Sequence, residues 1–131
     1  MISCAAVSVL LSRRPVRRDL MPGFFTTARK RAGGYHLIYL WVPFPEYSAA
    51  RVARRVSQGG HSIPKEVIYR RYRAGLWNMR NLYLPLVEDA TIYDNSDDGL
   101  KLVARRAAPK PLVVVDEAVW SKIEEMTKCE P

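Results

Sequence analysis

The eight residues Tyr35–Val42, YHLIYLWV, are apolar almost without interruption, and Pro43 and Pro45 follow at once. A short apolar run rich in aromatic residues and closed by prolines predicts a strand. Its apolar residues fall on both faces instead of alternating, so the strand is expected to be covered on both sides, as in a parallel sheet overlaid by helices. This makes the chain α/β in class. At 131 residues, 48% hydrophobic and 26% charged, it has the composition of a globular protein and the length of one small domain or part of one.

The segments on either side of the strand fit that class. FFTTARKRAGG, Phe24 to Gly34, reads as a short helix with Arg29, Lys30 and Arg31 in its last turns, where cations suit the dipole, stopped by Gly33 and Gly34. After the strand, a helix is expected from about Glu46 to Ser57, closed by Gly59 and Gly60. Ser62 is the expected N-cap of the next helix, with Pro64 and Glu66 in its first turn. Ile68, Tyr72, Leu76, Met79 and Tyr83 then form one apolar stripe that ends near Pro85. Downstream, ATIYD and LKLVARR read as two strands joined by the turn NSDDG. A short strand at Leu112–Val115 and a helix capped by Asp116 complete the chain.

Charge is unevenly placed. The net charge is +8, and residues 1–34 and 35–81 each carry +6 whereas residues 82–131 carry −4. Any anion site therefore belongs to the first two thirds. Arg51 to Asn78 alone holds eight basic residues, His61 included. Arg51, Arg54 and Arg55, spaced by three and one, share a helix face with Gln58, while Ala49, Val52, Ala53 and Val56 are expected to face the core. On the second helix Arg70, Arg73 and Trp77 lie opposite the apolar stripe and Arg71 at its border. Like charges at helical spacing repel by a few tenths of a kcal/mol per pair, on the order of measured helix-pair energies. A bound anion reverses that sign, and the planar arginine fork matches phosphate oxygens two at a time. Two such faces meeting at a glycine turn would clamp a polyphosphate; solvated surface charge is the simpler alternative.

Cys4 and Cys129 stand at opposite ends without metal-ligand spacing, so neither a zinc site nor a disulfide framework is expected, and a reduced, cytoplasmic setting fits. The apolar run Ile2–Leu11 has its basic cluster after it, the reverse of a secretory leader, and is too short to span a bilayer. No membrane association is expected.

RVARRVSQGGHSIPKEVIYRRY, followed by LYLPL and IYDNS and preceded by AGGYHLIYLWVPFPE, resembles the C-terminal half of the zeta-toxin-like P-loop kinases, a family that includes enzymes phosphorylating UDP-N-acetylglucosamine. The resemblance runs from about Phe24 to Ala104. It implies three regions: an atypical basic segment 1–23, a P-loop-kinase-like half 24–106 with a helical lid at about 46–84, and a C-terminal extension 107–131. It also implies that Arg55, Arg70 and Arg71 are lid arginines that neutralise the transferring phosphoryl group. Arg51, Gly59, Gly60, His61, Arg73 and Asn95 would serve nucleotide binding, ATP or GTP with Mg²⁺ being the expected cofactor and a nucleotide sugar the acceptor.

The family's GxxxxGK[ST] phosphate loop and its acidic base are not in this sequence; Gly33-Gly34 and Gly59-Gly60 are the paired glycines, and neither precedes Lys-Ser or Lys-Thr. Phosphoryl transfer is almost wholly positioning and charge stabilisation, so arginines alone are not expected to sustain it. The expectation is a truncated or frame-damaged kinase, inactive as this chain alone, or a subunit of a split kinase completed by a chain carrying the phosphate loop. An antitoxin is a further expected partner, and the apolar strand predicts self-association if its edge is uncovered. The competing reading is a small basic nucleic-acid-binding protein, with Tyr69, Tyr72 and Trp77 interleaved among the arginines.

Overall fold

Along Gly34–Trp41 (β2), Leu37, Tyr39 and Trp41 are buried while His36, Ile38 and Leu40 are only partly so. The computed structural model describes residues 27–31, 34–97 and 99–131. The strand expected to be sealed on both faces is thus fully closed on one. That face packs against Leu76, Met79, Trp120 and Ile123 from the helices.

The expected helix over 24–34 is a correction. Thr27–Arg31 is a strand, β1, paired antiparallel with β2 from Thr27↔Ile38 to Arg31↔Gly34. Nothing in TARKR marks a strand locally; pairing along the β2 edge overrides its weak helical reading. Residues 24–26 and 32–33 lie outside the described residues.

β2 leads through Pro43 into α1, Pro45–Ser57, and then α2, Lys65–Asn78, which runs directly into a π-helical turn at Met79–Tyr83. Pro45 suits the first helical position because the missing N–H has no intrahelical partner there. Ser62 does not cap α2. The N-cap is Pro64, without a side-chain cap bond, because the residue before a proline is held extended and the helix starts just after it. Only Ser48 and Val52 of α1 are buried; Ala53 and Val56 are exposed, contrary to expectation. A helix packed along one seam buries an i, i+4 stripe; Ala53 falls outside it, and Val56 continues it only in the last turn, where the helix ends.

The chain returns as β3, Asp89–Asp94, parallel to β2, with Trp41 opposite Asp94. β4, Lys101–Arg106, pairs antiparallel with β3, and β5, Val113–Val114, with β4. The described sheet is therefore mixed, in the order β1-β2-β3-β4-β5. Its register shifts between Ile92 and Tyr93, leaving Val103 as an extra residue whose carbonyl accepts from the backbone N–H groups of Val115 (2.8 Å) and Asp116 (3.1 Å). This fixes the entry to α3, Glu117–Met126, where the Asp116 side chain caps the N–H of Val119, as the sequence predicts. Residues past 106 are no appendage, since Trp120 and Ile123 belong to the same core as Leu37 and Ile92.

Polar bonds close the seams. Tyr72 Oη donates to the Val42 carbonyl at 2.7 Å, and Arg106 donates to the carbonyls of Leu84, Val87 and Glu88 beyond the π turn. Arg80 pairs with Glu124 at 3.2 Å and lies over the Trp120 ring, joining that turn to α3. Among the described residues no helix is long and apolar enough to cross a membrane.

Burial raises the pKa of Tyr39, with the neighbouring Tyr72 adding to it, and burial likewise raises that of Tyr72. The folded protein keeps these protons where the unfolded chain loses them, near pH 10, so the contribution of these two groups to stability is constant below that pH and falls above it. Thermal denaturation followed by circular dichroism is expected to show this, with a slope of about 1.4 kcal/mol per pH unit for each tyrosine held neutral. Tyr72→Phe should flatten the decline; an unchanged slope would mean that Tyr72 is not held neutral.

Candidate anion-binding site

The carboxyl ends of β2 and β3 lie side by side, and the Asn95 N–H donates to the Trp41 carbonyl at 2.8 Å, carrying the pairing one residue beyond Asp94. There the Asp94 carboxylate accepts from the Ser96 N–H at 2.9 Å, an Asx turn that directs the chain away from the sheet. α1 rises beside this loop. Its Tyr47, Ala50, Arg51 and Arg54 fall on one helical face and, with Ser96, Asp97 and Lys101, line an open cavity of about 820 Å³. Arg51 Nη2 donates to the Asn95 carbonyl at 2.5 Å, so one guanidinium is already tied to the loop. Arg51, Arg54, Arg55 and Gln58 line an adjoining depression of about 400 Å³ on the same helix.

The two cavities share Arg51 and Arg54, which makes them one basic surface. Among the described residues no carboxylate forms an ion pair with Arg51, Arg54 or Arg55; the ion pairs described are Arg80–Glu124 and Lys101–Asp97. The second lies inside the cavity, Lys101 Nζ to Asp97 Oδ2 at 2.6 Å. The hydrogen bond to Asp97, with that carboxylate's charge, raises the Lys101 pKa. Among the described residues, the one carboxylate lining the cavity is thus committed to a lysine, and no described carboxylate neutralises the two arginines.

Of the residues singled out in the sequence, this surface unites Arg51, Arg54, Arg55, Gln58 and, through its carbonyl, Asn95. Arg70, Arg71, Arg73 and His61 line neither cavity, so the expected clamp of two arginine faces is not formed around them. Arg70, Arg73 and His61 are exposed and Arg71 is half-buried. Gly59 and Gly60 have a structural explanation. Gly59 has φ +91°, and a Cβ on Gly60 would sit 2.9 Å from the Arg55 carbonyl oxygen that its own N–H engages. Between the first turn of α1 and α2, Tyr69 Oη donates to Glu46 at 2.8 Å and thereby holds the Glu46 carboxyl below its usual range.

Tyr47, Asp97 and Lys101 were not anticipated. Tyr47, Arg51 and Arg54 have helical spacing in the sequence, but Asp97 and Lys101 join them only because β2 and β3 are parallel neighbours. No protein-family model matches this chain, and neither does a curated protein or a solved structure.

Replacing Asp97 with Asn removes the two largest causes of the raised Lys101 pKa, leaving the charges of Asp94 and Asp116. The Lys101 ammonium, followed by NMR, is expected to titrate at lower pH in that variant than in the parent. Identical titration would mean that the pair does not persist in solution.

Proposed function

We propose that the α1 face and the loop after β3 bind the phosphate groups of a nucleotide, as the lid-bearing half of a P-loop-kinase-like fold similar to the zeta-toxin-like enzymes. The observation that carries this reading is the placement of Arg51 and Arg54 over the carboxyl ends of the parallel pair β2 and β3. Open α/β sheets take their ligands at that end. Arginine is suited to the task because it cannot be neutralised and offers paired donors to phosphate oxygens. Arg51, tethered to Asn95, would hold its place before the ligand arrives, which lowers the entropy cost of binding. Arg54 would supply a second fork and Ser96 a hydroxyl donor.

Phosphoryl transfer asks for more than this surface offers. The phosphate-loop cradle and the base toward an acceptor hydroxyl would have to come from residues outside this sequence. Once they are supplied, the reaction proposed is ATP- or GTP-dependent phosphorylation of a hydroxyl on a nucleotide sugar or similar small molecule, with Arg55 beside the phosphates. Mg²⁺ would be held chiefly by the nucleotide phosphates with one or two protein groups; among the described residues no group of three or more His, Cys, Asp or Glu stands together, Asp94 accepts from Ser96 and Asp97 is paired with Lys101.

Calorimetric titration with ADP tests the reading. Saturable one-to-one binding is expected, weakened about tenfold or more when Arg51 and Arg54 are both changed to Ala, a loss of 1.4 kcal/mol or more. Changing the exposed Lys110 and Lys128 to Ala should leave it unaltered. Absence of saturable ADP binding would overturn the proposal. Tighter binding of a single-stranded oligonucleotide, lost steeply with salt, would instead favour the nucleic-acid reading.

A further inference from the structure

The large cavity takes its cations from two elements, Arg51 and Arg54 from α1 and Lys101 from the first position of β4. Sheet pairing opposite Asp94 sets the Lys101 backbone, while its ammonium is engaged by Asp97 at 2.6 Å. The Lys101 and Asp97 side chains are 65% and 64% exposed, and an ion pair so open to water adds little to stability. It can therefore be exchanged for a pair with another anion. Lysine suits such an exchange, because its ammonium is a point charge on a flexible stem and turns between oxygens without the fixed geometry of an arginine fork. Asp97 lies on the exposed turn between β3 and β4, where the Gly99 N–H donates to its backbone carbonyl at 2.9 Å. Its carboxylate, once released, is left to water.

Given phosphate binding at this surface, on which this inference rests, we propose that Asp97 occupies Lys101 until a ligand with two or more linked phosphates displaces it. Lys101 is then the residue by which the site distinguishes a di- or triphosphate from a monophosphate. A single phosphate is satisfied by the forks of Arg51 and Arg54 and gains nothing by competing with Asp97 for the lysine. The cavity, about 820 Å³, lies in the range of sites for whole small molecules, roughly 300–1,000 Å³, so one phosphate does not fill it. A chain of phosphates held at one end by the α1 arginines presents its remaining oxygens to Lys101 at high effective concentration. It also carries more charge than the one carboxylate it replaces.

The test titrates the parent chain and three variants, Lys101→Ala, Asp97→Asn and the double variant, with inorganic phosphate and with pyrophosphate at one pH and ionic strength. Affinities are read from amide NMR shifts, which follow weak binding and also report whether each variant stays folded. Lys101→Ala is expected to weaken pyrophosphate binding about fivefold to tenfold and to leave phosphate binding unchanged, as loss of one charge-assisted bond provides. Asp97→Asn should tighten pyrophosphate binding about threefold, and that gain should vanish in the double variant. Equal losses for the two probes on Lys101→Ala would mean that Lys101 adds only general positive charge, and would overturn the proposal. So would a gain from Asp97→Asn that persists without Lys101, since the carboxylate would then act by repulsion alone. Pyrophosphate binding that Lys101→Ala leaves unaltered overturns it too, with the phosphate site intact. No saturable binding of pyrophosphate to the parent chain would remove the phosphate site and the role of Lys101 together.

Discussion

The parallel pairing of β2 with β3 determines where every candidate functional group sits. Trp41 opposite Asp94 sets the two carboxyl ends level, and the extra bond from the Asn95 N–H to the Trp41 carbonyl holds the following loop against the start of α1. Arg51 then reaches the Asn95 carbonyl. A slip of one residue in this register would turn Leu37, Tyr39 and Trp41 out of the core, so burial of those side chains and placement of the loop are enforced together.

The cost of the basic surface is visible in the same elements. Arg51, Arg54 and Arg55 gain nothing from one another on α1, and among the described residues no carboxylate pairs with them. The fold tolerates them because its stability comes from elsewhere: the core around Leu37, Leu76, Met79 and Ile123, and the polar ties made by Tyr72, Arg80 and Arg106. This surface, held at the carboxyl ends of the strands, is the one to which the proposal assigns a ligand.

How much of this was legible in the sequence follows from what each element depends on. β2 could be read because its apolar run and prolines are local, and α2 because Ile68, Tyr72, Leu76 and Met79 repeat at helical spacing and are all buried. β1 could not, since its strand character comes from pairing with β2. Spacing alone placed Arg51, Arg54 and Arg55 on one face. It could not tell which helix face would border the β3–β4 loop, and so it gave Arg70, Arg71 and Arg73 equal standing with them. Asp97 and Lys101 were invisible as site residues because a non-local strand pairing brings them there.

Anions are proposed to meet α1 and not α2. Arginine side-chain Nε–H signals recorded by NMR during titration with inorganic pyrophosphate report this residue by residue. Saturable shifts are expected at Arg51 and Arg54, with Arg55 following and Arg70 and Arg73 unmoved. Shifts at Arg70 and Arg73 while Arg51 and Arg54 stay in place would contradict it.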